Sequence, residues 1–376
     1  MVTTHSVHGL LTVVAEDAPA VLTAQFRKLF GPSAPVAKAG AEADIHIRFV
    51  EPFPRSPTLR YVGLNDAAYD GDHFFLLDDA GRRMRLDFER AGEARLELIC
   101  ERGMTEVPLL FQLAALRLLR KRHVVLHAAA FVHEGKSVLA TGWRKGGKTE
   151  LLLAFTARGA DFVSDEWTIL SADGALRGLP TVAGIWDWHF RYLPEYWSAL
   201  SPLDRGRLRL LRSYRAAYRF GFRGRAGDGV LASAFRQLSL DTGVALLGQV
   251  RPRPERLFGD RIRRDAIPLD HVLFPTMADS LGVRPVNPSE VARRMVASQA
   301  HERRPLFEAY ERFRFAYPER RAPALEGVPE EELRLLEETL AGRPAHEVSH
   351  PYPVPLPLLY EAVLPYLTGT PRSDRK

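Results

Sequence analysis

Residues 123–171 read HVVLHAAAFVHEGKSVLATGWRKGGKTELLLAFTARGADFVSDEWTILS, and this stretch decides the fold. Inside it, residues 142–149 (GWRKGGKT) match G-x-x-x-x-G-K-[ST], a pattern that binds phosphate only when a strand precedes it and a helix follows. Residues 137–141 (SVLAT) are an apolar run typical of a buried strand, and residues 151–155 (LLLAF) favour an apolar helix. Arg158-Gly159 gives that helix a cationic last turn and a C-terminal glycine. The sequence therefore predicts a P-loop.

A second strand, residues 161–164 (DFVS), follows the predicted helix and leads directly to Asp165 and Glu166. Strand, helix and strand make a βαβ unit, in which ligands bind at the carboxyl ends of the strands. The two carboxylates are therefore expected opposite the loop. There they can complete a Mg²⁺ shell or take a proton from an attacking hydroxyl. The alternative is a solvated acidic pair at a strand end.

The residue types of the loop suit a nucleoside triphosphate. Gly142 and Gly147 allow a tight turn and close backbone approach, and the helix N-terminus favours negative charge. Lys148 is expected to reach the β- and γ-phosphates, and the Thr149 hydroxyl is a candidate Mg²⁺ ligand. The ligands expected here are ATP, or another NTP, and Mg²⁺. The predicted nucleotide-binding residues are Gly142, Trp143, Arg144, Lys145, Gly146, Gly147, Lys148, Thr149 and Glu150.

The same stretch resembles the catalytic core of the HPr kinase/phosphorylase family, within the wider group of kinases similar to phosphoenolpyruvate carboxykinase. That family has a histidine, then a P-loop with a glutamate after its Ser/Thr, then Arg-Gly and a pair of aspartates. The sequence separations also fit the family: His127 and Gly142 are 15 positions apart, and Lys148 and Asp165 are 17 positions apart. The corresponding residues of this chain are His127, Gly142–Thr149, Glu150, Arg158-Gly159 and Asp165-Glu166.

The resemblance implies a role for each matched residue. It implies that Asp165 is the general base, that Lys148 binds phosphate, and that His127 is an active-site histidine near the phosphates. It also implies that Thr149 and Glu166 bind Mg²⁺, and Asp165, expected opposite the loop, is a further candidate ligand. From the residues alone, His127 could instead pack at the end of the strand that precedes it.

Three departures from the family pattern change what is expected of the acceptor. Ala128 follows His127 where the family has glycine, and Glu166 replaces the second aspartate. The later glycine-rich signature, which in the family contributes to contacts with HPr and to phosphorolysis, has no counterpart in this sequence. The resemblance therefore implies a divergent kinase with its own acceptor.

Length and composition place the chain among ordinary globular proteins. It has 376 residues, of which 46% are hydrophobic and 26% charged, and a single cysteine, Cys100, so that no intramolecular disulfide can form. No signal-peptide pattern begins the sequence, and no apolar run approaches the ~20 residues of a membrane helix. A cytoplasmic location and no membrane partner are therefore expected.

The predicted fold class is α/β, with a P-loop kinase core of the HPr kinase C-terminal-domain type. Residues 1–100 are predicted to form a β-rich accessory section, residues 101–280 the kinase core, and residues 281–376 a helical section. Three local predictions can be checked individually. They are one strand over residues 6–14, a helix that starts after an N-cap at Ser289, and an edge strand over residues 346–350.

Two further segments are candidates for acceptor binding. Residues 184–192 (GIWDWHFRY) combine aromatic and polar side chains, and Asp187, His189 and Arg191 are predicted to belong to an acceptor site; an aromatic mini-core is the alternative. Residues 205–225 carry eight arginines, which suit an acidic or phosphorylated acceptor, a transition-state contact, nucleic acid, or a solvated helix face. These arginines are Arg205, Arg207, Arg209, Arg212, Arg215, Arg219, Arg223 and Arg225.

The predicted function is transfer of the γ-phosphoryl group of ATP to a hydroxyl of a protein, peptide or small molecule. One alternative is a non-catalytic nucleotide-binding regulatory or scaffold protein. Another is a nucleic-acid-stimulated ATPase, which is disfavoured because no second set of motifs couples hydrolysis to movement along a strand. The acceptor and the oligomeric state stay open, and the resemblance makes a homo-oligomer conceivable.

Overall fold

A computed structural model describes residues 2–31, 43–54, 56–64, 66–179, 184–221 and 248–369, with side chains left undescribed at 217–221. The chain is a mixed α/β protein whose described strands form four sheets. The strands are β1 Val2–Val7, β2 Leu11–Glu16, β3 Ile45–Val50, β4 Arg60–Val62, β5 Ala67–Tyr69, β6 Phe74–Leu77, β7 Arg83–Leu86, β8 Leu96–Glu101, β9 His123–Leu126, β10 Ala128–His133, β11 Lys136–Thr141, β12 Asp161–Ser164, β13 Thr168–Ser171, β14 Ala175–Gly178, β15 Ile185–Trp186, β16 Gln249–Val250, β17 Ile267–Pro268, β18 His271–Met277, β19 Gly282–Pro285 and β20 Ala345–His350.

The helices of the described residues connect and cover these sheets. They are α1 Thr23–Phe30, α2 Leu110–Arg120, α3 Lys148–Thr156, α4 Tyr196–Ala199, α5 Pro202–Gly221, α6 Pro254–Phe258, α7 Pro288–Ala316, α8 Pro323–Glu326, α9 Val328–Leu340 and α10 Leu356–Thr368, with short 3₁₀ turns at Ala20–Leu22, Glu89–Gly92, Asp187–Arg191 and Gly259–Arg261. No helix in the described ranges is both long enough and apolar enough to cross a membrane.

The N-terminal section forms an eight-stranded sheet in the order β1-β2-β3-β8-β7-β6-β5-β4. The prediction of one strand over residues 6–14 is wrong, because the chain reverses at His8 and Gly9. Both have positive φ (52° and 71°), and the Leu10 N–H donates to the Val7 carbonyl at 2.8 Å. Such a two-residue turn matches the twist of the strands it joins.

The P-loop strand β11 lies inside a six-stranded sheet of order β12-β10-β11-β18-β20-β19. β11 is parallel to β18 and antiparallel to β10, which is in turn antiparallel to β12. β11 and β12 therefore run in the same direction with β10 between them. The predicted strand–helix–strand unit is confirmed, and its two strands end on the same edge of the sheet.

The prediction of an edge strand at residues 346–350 is wrong. β20 pairs with β18 on one side and with β19 on the other. Its last residue, His350, is fully buried and reaches the loop that follows β11. Because β20 belongs to the C-terminal section, that section contributes strands to the six-stranded sheet in addition to its helices.

The helix predicted to start after Ser289 is α7, which runs from Pro288 to Ala316. Its N-cap is Asn287 rather than Ser289, since the Asn287 side chain accepts a hydrogen bond from the Ser289 N–H at 2.9 Å. Proline at the first helical position, Pro288, suits this arrangement because its missing N–H would have no partner there. α7 also packs against β5 and β6 of the N-terminal sheet.

One hydrophobic core joins all three predicted sections. The helix α2 packs against β2 of the N-terminal sheet, against β9 of a second, four-stranded sheet, and against α7 and α9. Buried residues of this core come from each section, for example Ile45, Leu119 and Leu336. The section boundaries at 100 and 280 stay predictions.

Candidate active site

The loop between β11 and α3 has a backbone that requires glycine. Gly147, the N-cap of α3, has φ of 107°, and a Cβ atom there would lie 1.9 Å from Nε2 of His350. A Cβ atom on Gly146 would lie 3.0 Å from the Trp143 carbonyl oxygen and 3.1 Å from that of Pro275. The Gly146 N–H donates to the Trp143 carbonyl at 3.1 Å, which closes the turn. The loop is thus packed tightly against β18 and β20.

Lys148 begins α3 and is buried under the loop. Its Nζ donates to the Trp143 carbonyl at 2.8 Å and to the Gly142 carbonyl at 3.3 Å. Burial lowers the pKa of Lys148 to about 8, although the nearby carboxylates of Asp165, Glu302 and Glu150 act in the opposite direction. Lys148 thus places a positive charge directly behind the loop, at the N-terminus of α3.

Thr149 and Asp165 are in direct contact. The Thr149 hydroxyl donates to Asp165 Oδ1 at 3.0 Å, and the Gly184 N–H lies 3.4 Å from Oδ2. Burial raises the pKa of Asp165 to about 6, against the hydrogen bond from Thr149. A carboxyl with this pKa is largely ionised at neutral pH and can still take up a proton, as a general base must.

Glu166 lies in a strained turn. Its φ is 68°, and the Trp167 N–H donates to the Asp165 carbonyl at 2.9 Å across it. Its carboxylate is 3.7 Å from Nη2 of Arg251. A positive φ at a non-glycine residue costs energy and often occurs at functional sites. The turn directs the side chains of Asp165 and Glu166 to different partners.

His127, between β9 and β10, forms two hydrogen-bonding contacts with residues of α7. Its Nδ1 lies 2.8 Å from Oε1 of Glu302, and its backbone N–H donates to Oε1 of Gln299 at 3.4 Å. Burial would raise the pKa of Glu302, but the contact with His127 and the charge of Arg144 outweigh it, and the pKa lies below its usual value. An ionised Glu302 accepts the Nδ1 proton of His127 and leaves Nε2 for a ligand.

The same helix also contacts the outer residues of the P-loop. Ser298 Oγ donates to the Gly142 carbonyl at 3.4 Å, and the Trp143 ring lies 5.4 Å from the ring of His301. Nη1 of Arg144 is 3.3 Å from Nε2 of His301. Trp143, Arg144 and Lys145 are exposed. The first two therefore pack over the middle of α7 while keeping access to solvent.

Glu150 is buried on the first turn of α3, between two histidines. Nε2 of His189 is 3.4 Å from Oε1 of Glu150, without the alignment of a hydrogen bond. Burial would raise the pKa of Glu150, but the contact with His189 and the backbone N–H of Glu150 outweigh it, and the pKa lies below its usual value. Glu150 is therefore an ionised carboxylate. Its partner His189 accepts the Trp186 N–H at Nδ1, at 3.0 Å, which places the proton of a neutral ring on Nε2.

The three predicted acceptor residues occupy different surroundings. His189 is buried behind the P-loop helix, whereas Arg191 is exposed. Asp187 accepts from Nε of Arg212 at 2.7 Å and from Nη1 of Arg215 at 3.0 Å. Two of the predicted arginines thus hold α5 against the segment that contains Asp187. The side chain of Arg219, together with Arg223 and Arg225, lies outside the described residues.

The structure therefore brings most of the predicted site residues together. Thr149 contacts Asp165, Lys148 lies beneath the loop, and Glu150 contacts His189, one of the predicted acceptor residues. Sequence reasoning missed the residues that distant segments supply, namely Ser298, His301, Glu302 and His350. Only His350 had a signal in the sequence, because the pair of histidines at 346 and 350 stands out.

Within the described ranges, no group of three or more His, Cys, Asp or Glu side chains is arranged to hold a metal ion by itself. Mg²⁺ does not require such a group, since it is usually bound by one or two carboxylates together with substrate phosphates and waters. The contact between Thr149 and Asp165 at the start of α3 supplies a hydroxyl and a carboxylate of the kind that Mg²⁺ prefers. The residues present therefore fit a nucleotide-bound Mg²⁺.

Comparison with known protein families finds no family model that matches this chain, and comparison with curated proteins finds no relative.

Proposed function

We propose that this protein is a P-loop phosphotransferase that moves the γ-phosphoryl group of ATP, or of another NTP, to a hydroxyl group of an acceptor. The core would then have the fold of the HPr kinase C-terminal domain, which it resembles in sequence. The observation that carries the proposal is the contact between Thr149 and the buried Asp165 at the N-terminus of the P-loop helix. It joins a phosphate-binding loop to a candidate base.

The chemistry proposed for the site is general-base catalysis with electrostatic stabilisation. Asp165 takes the proton of the acceptor hydroxyl as the acceptor oxygen bonds to the γ-phosphorus and the bond to the β-phosphate oxygen breaks, which releases NDP. Lys148 and the loop N–H groups stabilise the charge on the phosphates. Thr149 and Asp165, with Glu166 as a further candidate, would hold Mg²⁺, which supplies charge neutralisation between the phosphates.

The arginines of α5 support a substrate-binding interpretation only in part. Arg212 and Arg215 already bind Asp187, so their charges are partly neutralised within the protein. Arg209 is exposed on the same helix and is available to an acidic or phosphorylated acceptor. The acceptor proposed here is a hydroxyl on a protein, a peptide or a small molecule.

The test is transfer of label from γ-labelled ATP with Mg²⁺. The purified protein is incubated with lysate fractions separated into a protein pool and a small-molecule pool. Label that enters one pool with the wild type, and is lost in both Lys148→Ala and Asp165→Asn, supports the kinase and defines the acceptor class. Lys136→Ala is the matched control, because Lys136 is exposed at the opposite end of β11.

Three results would contradict the proposal. Tight ATP binding without transfer in any fraction would favour a nucleotide-binding scaffold. Hydrolysis stimulated by DNA or RNA, with steep salt dependence, would favour a nucleic-acid-linked ATPase. Absence of ATP binding by the wild-type protein would remove the basis of the proposal.

A further inference from the structure

His350 is a buried histidine whose two ring nitrogens both face carbonyl oxygens. Nδ1 lies 2.9 Å from the Pro351 carbonyl oxygen, and Nε2 lies 3.0 Å from the Gly146 carbonyl oxygen. A carbonyl oxygen can only accept a hydrogen bond, and a neutral imidazole has only one N–H. Only the doubly protonated ring satisfies both contacts, and an unsatisfied pair of acceptors facing each other inside the protein would be unfavourable.

A positive charge buried on His350 is unfavourable unless a negative charge lies near it, and Glu150 supplies a negative charge. Glu150 is a buried, ionised carboxylate on the first turn of α3, close enough to His350 for two charges there to interact. The dipole of the Gly146 carbonyl adds to this compensation. Glu150 therefore offsets part of the charge of a protonated His350, beside the separate cation of Lys148 at the loop carbonyls.

The contact with Gly146 also orients one peptide of the P-loop. In a trans peptide the C=O and the following N–H point in opposite directions. Because the Gly146 carbonyl points at His350, the Gly147 N–H points away from it, on the side where a P-loop binds phosphate. A charged donor on the carbonyl also polarises the peptide, which strengthens its N–H as a donor. Gly147 and the His350 ring are in close contact, because a Cβ atom on Gly147 would lie 1.9 Å from Nε2 of His350.

We propose that His350 is a protonated positioning residue, which fixes the Gly146–Gly147 peptide and adds a positive charge beneath the phosphate-binding loop. This role rests on the proposed nucleotide site, but the charge of the ring does not. The residue is supplied by the C-terminal section, 204 positions from Gly146 in sequence. Nucleotide affinity therefore depends on the end of β20 as well as on the loop itself.

The first experiment measures the charge state of the ring directly. The wild-type protein is labelled with ¹⁵N-histidine, without nucleotide, and the His350 signals are assigned through the proximity of its ring to the Gly147 α-protons. We expect both ring nitrogens to carry protons at neutral pH. A signal of a neutral ring, with one bare nitrogen, would overturn the proposal, whether or not the protein binds ATP.

The second experiment measures nucleotide binding by His350→Gln. Loss of a charge-assisted hydrogen bond is expected to weaken ATP binding by about tenfold to a hundredfold, with a smaller change in kcat at saturating ATP. His346→Gln is the control, because His346 lies on the same strand and packs against Tyr366 rather than the loop. Unchanged ATP affinity in a folded His350→Gln protein would overturn the positioning role.

If His350→Gln does not fold, the ring measurement on the wild type still decides the charge. His350→Asn, which keeps one donor in a smaller side chain, then replaces it in the binding assay with the same expected direction. A wild-type protein that shows a protonated ring but no ATP binding would refute the proposed function and the positioning role, and would leave only the charge assignment.

Discussion

At the scale of single residues, Asp165 combines two conflicting properties. A carboxyl that is buried and ionised lowers the stability of the fold, yet a general base must be ionised to accept a proton. Burial disfavours the ionised form and raises the pKa of Asp165 from an ordinary value of 3.8 to about 6. Because its ionised form destabilises the fold, Asp165 is expected to be retained for function rather than for stability.

We therefore predict that Asp165→Asn stabilises the protein at pH 8 while abolishing phosphoryl transfer. Because the pKa of Asp165 is raised on folding, its stabilising contribution is complete below the unfolded value near 3.8 and is lost as the pH rises through about 6. The resulting cost at pH 8 is about 3 kcal/mol. Urea unfolding of both proteins, without nucleotide and with a chelator present, measures the difference.

The pH dependence of that difference is the control. The gain in unfolding free energy should fall to about half at pH 5 and to about a fifth at pH 4, because Asp165 is then protonated in the folded state and partly protonated in the unfolded state. A gain that does not change between pH 8 and pH 4 would show that burial of the charge is not its cause.

Glu302 is predicted to act through His127. Glu302→Gln removes the charge that holds the Nδ1 proton of His127 but keeps a side chain of similar size. We expect kcat for phosphoryl transfer to fall by about tenfold to a hundredfold, as for other residues that orient a functional histidine. Glu308→Gln, in the same helix but in an exposed pair with Arg304, is the control. Equal rates for the two variants would argue against a role for the pair.

At the scale of elements, the P-loop and the end of β20 form one unit. Gly147→Ala should abolish nucleotide binding, because it adds both the cost of a positive φ and a Cβ atom at 1.9 Å from His350. Gly159→Ala separates these effects, since Gly159 has φ of 90° and open space around its Cβ position. In Gly159→Ala, the positive φ alone is expected to lower the free energy of unfolding by about 1–2 kcal/mol. Isothermal titration with ATP and thermal unfolding of both variants measure the difference.

If Gly147→Ala binds ATP as well as Gly159→Ala does, the loop has room to move away from β20. His350 would then not hold it, and the tight packing of the loop would have no consequence for binding.

Local patterns predicted the elements around the P-loop because their signals are local. The apolar run, the glycines of the loop and the glycine at the helix end all lie between residues 137 and 159, and the structure places β11, α3 and the positive φ of Gly147 between residues 136 and 156. The hairpin at His8-Gly9 was missed because apolar residues continue on both sides of it. The N-cap of α7 was placed two residues late, because Asn287 and Ser289 are both good caps.

At the scale of the whole molecule, the site contains residues that no local pattern could have joined. Glu302 contacts His127 across 175 positions, and His350 contacts Gly146 across 204. Such contacts depend on which strand pairs with which, and β20 enters the sheet beside β18 from the C-terminal section. Pairing of this kind is decided by packing of the whole core, so the interior position of β20 could not be predicted from residues 345–350 alone.

The shared core leads to a prediction about cooperativity. All five tryptophans lie between residues 143 and 197, so their fluorescence reports on the P-loop region, whereas amide exchange in β3 reports on the N-terminal sheet. Because α2 packs against β2 of the N-terminal sheet and against β9, the pairing partner of β13, we expect both probes to give the same urea midpoint. Loss of protection in β3 at lower urea than the fluorescence change would instead indicate separate folding units.

Leu119→Ala tests the physical reason for that cooperativity. Leu119 is buried in α2, and its truncation should lower the unfolding free energy by about 2–5 kcal/mol. If α2 couples the two regions, the fluorescence and β3 exchange midpoints must fall together and by the same amount. Leu203→Ala, at a position that is 75% exposed, should leave both unchanged. A Leu119→Ala protein in which only one midpoint falls would show that α2 belongs to one region alone, and that the N-terminal sheet can unfold without opening the nucleotide site.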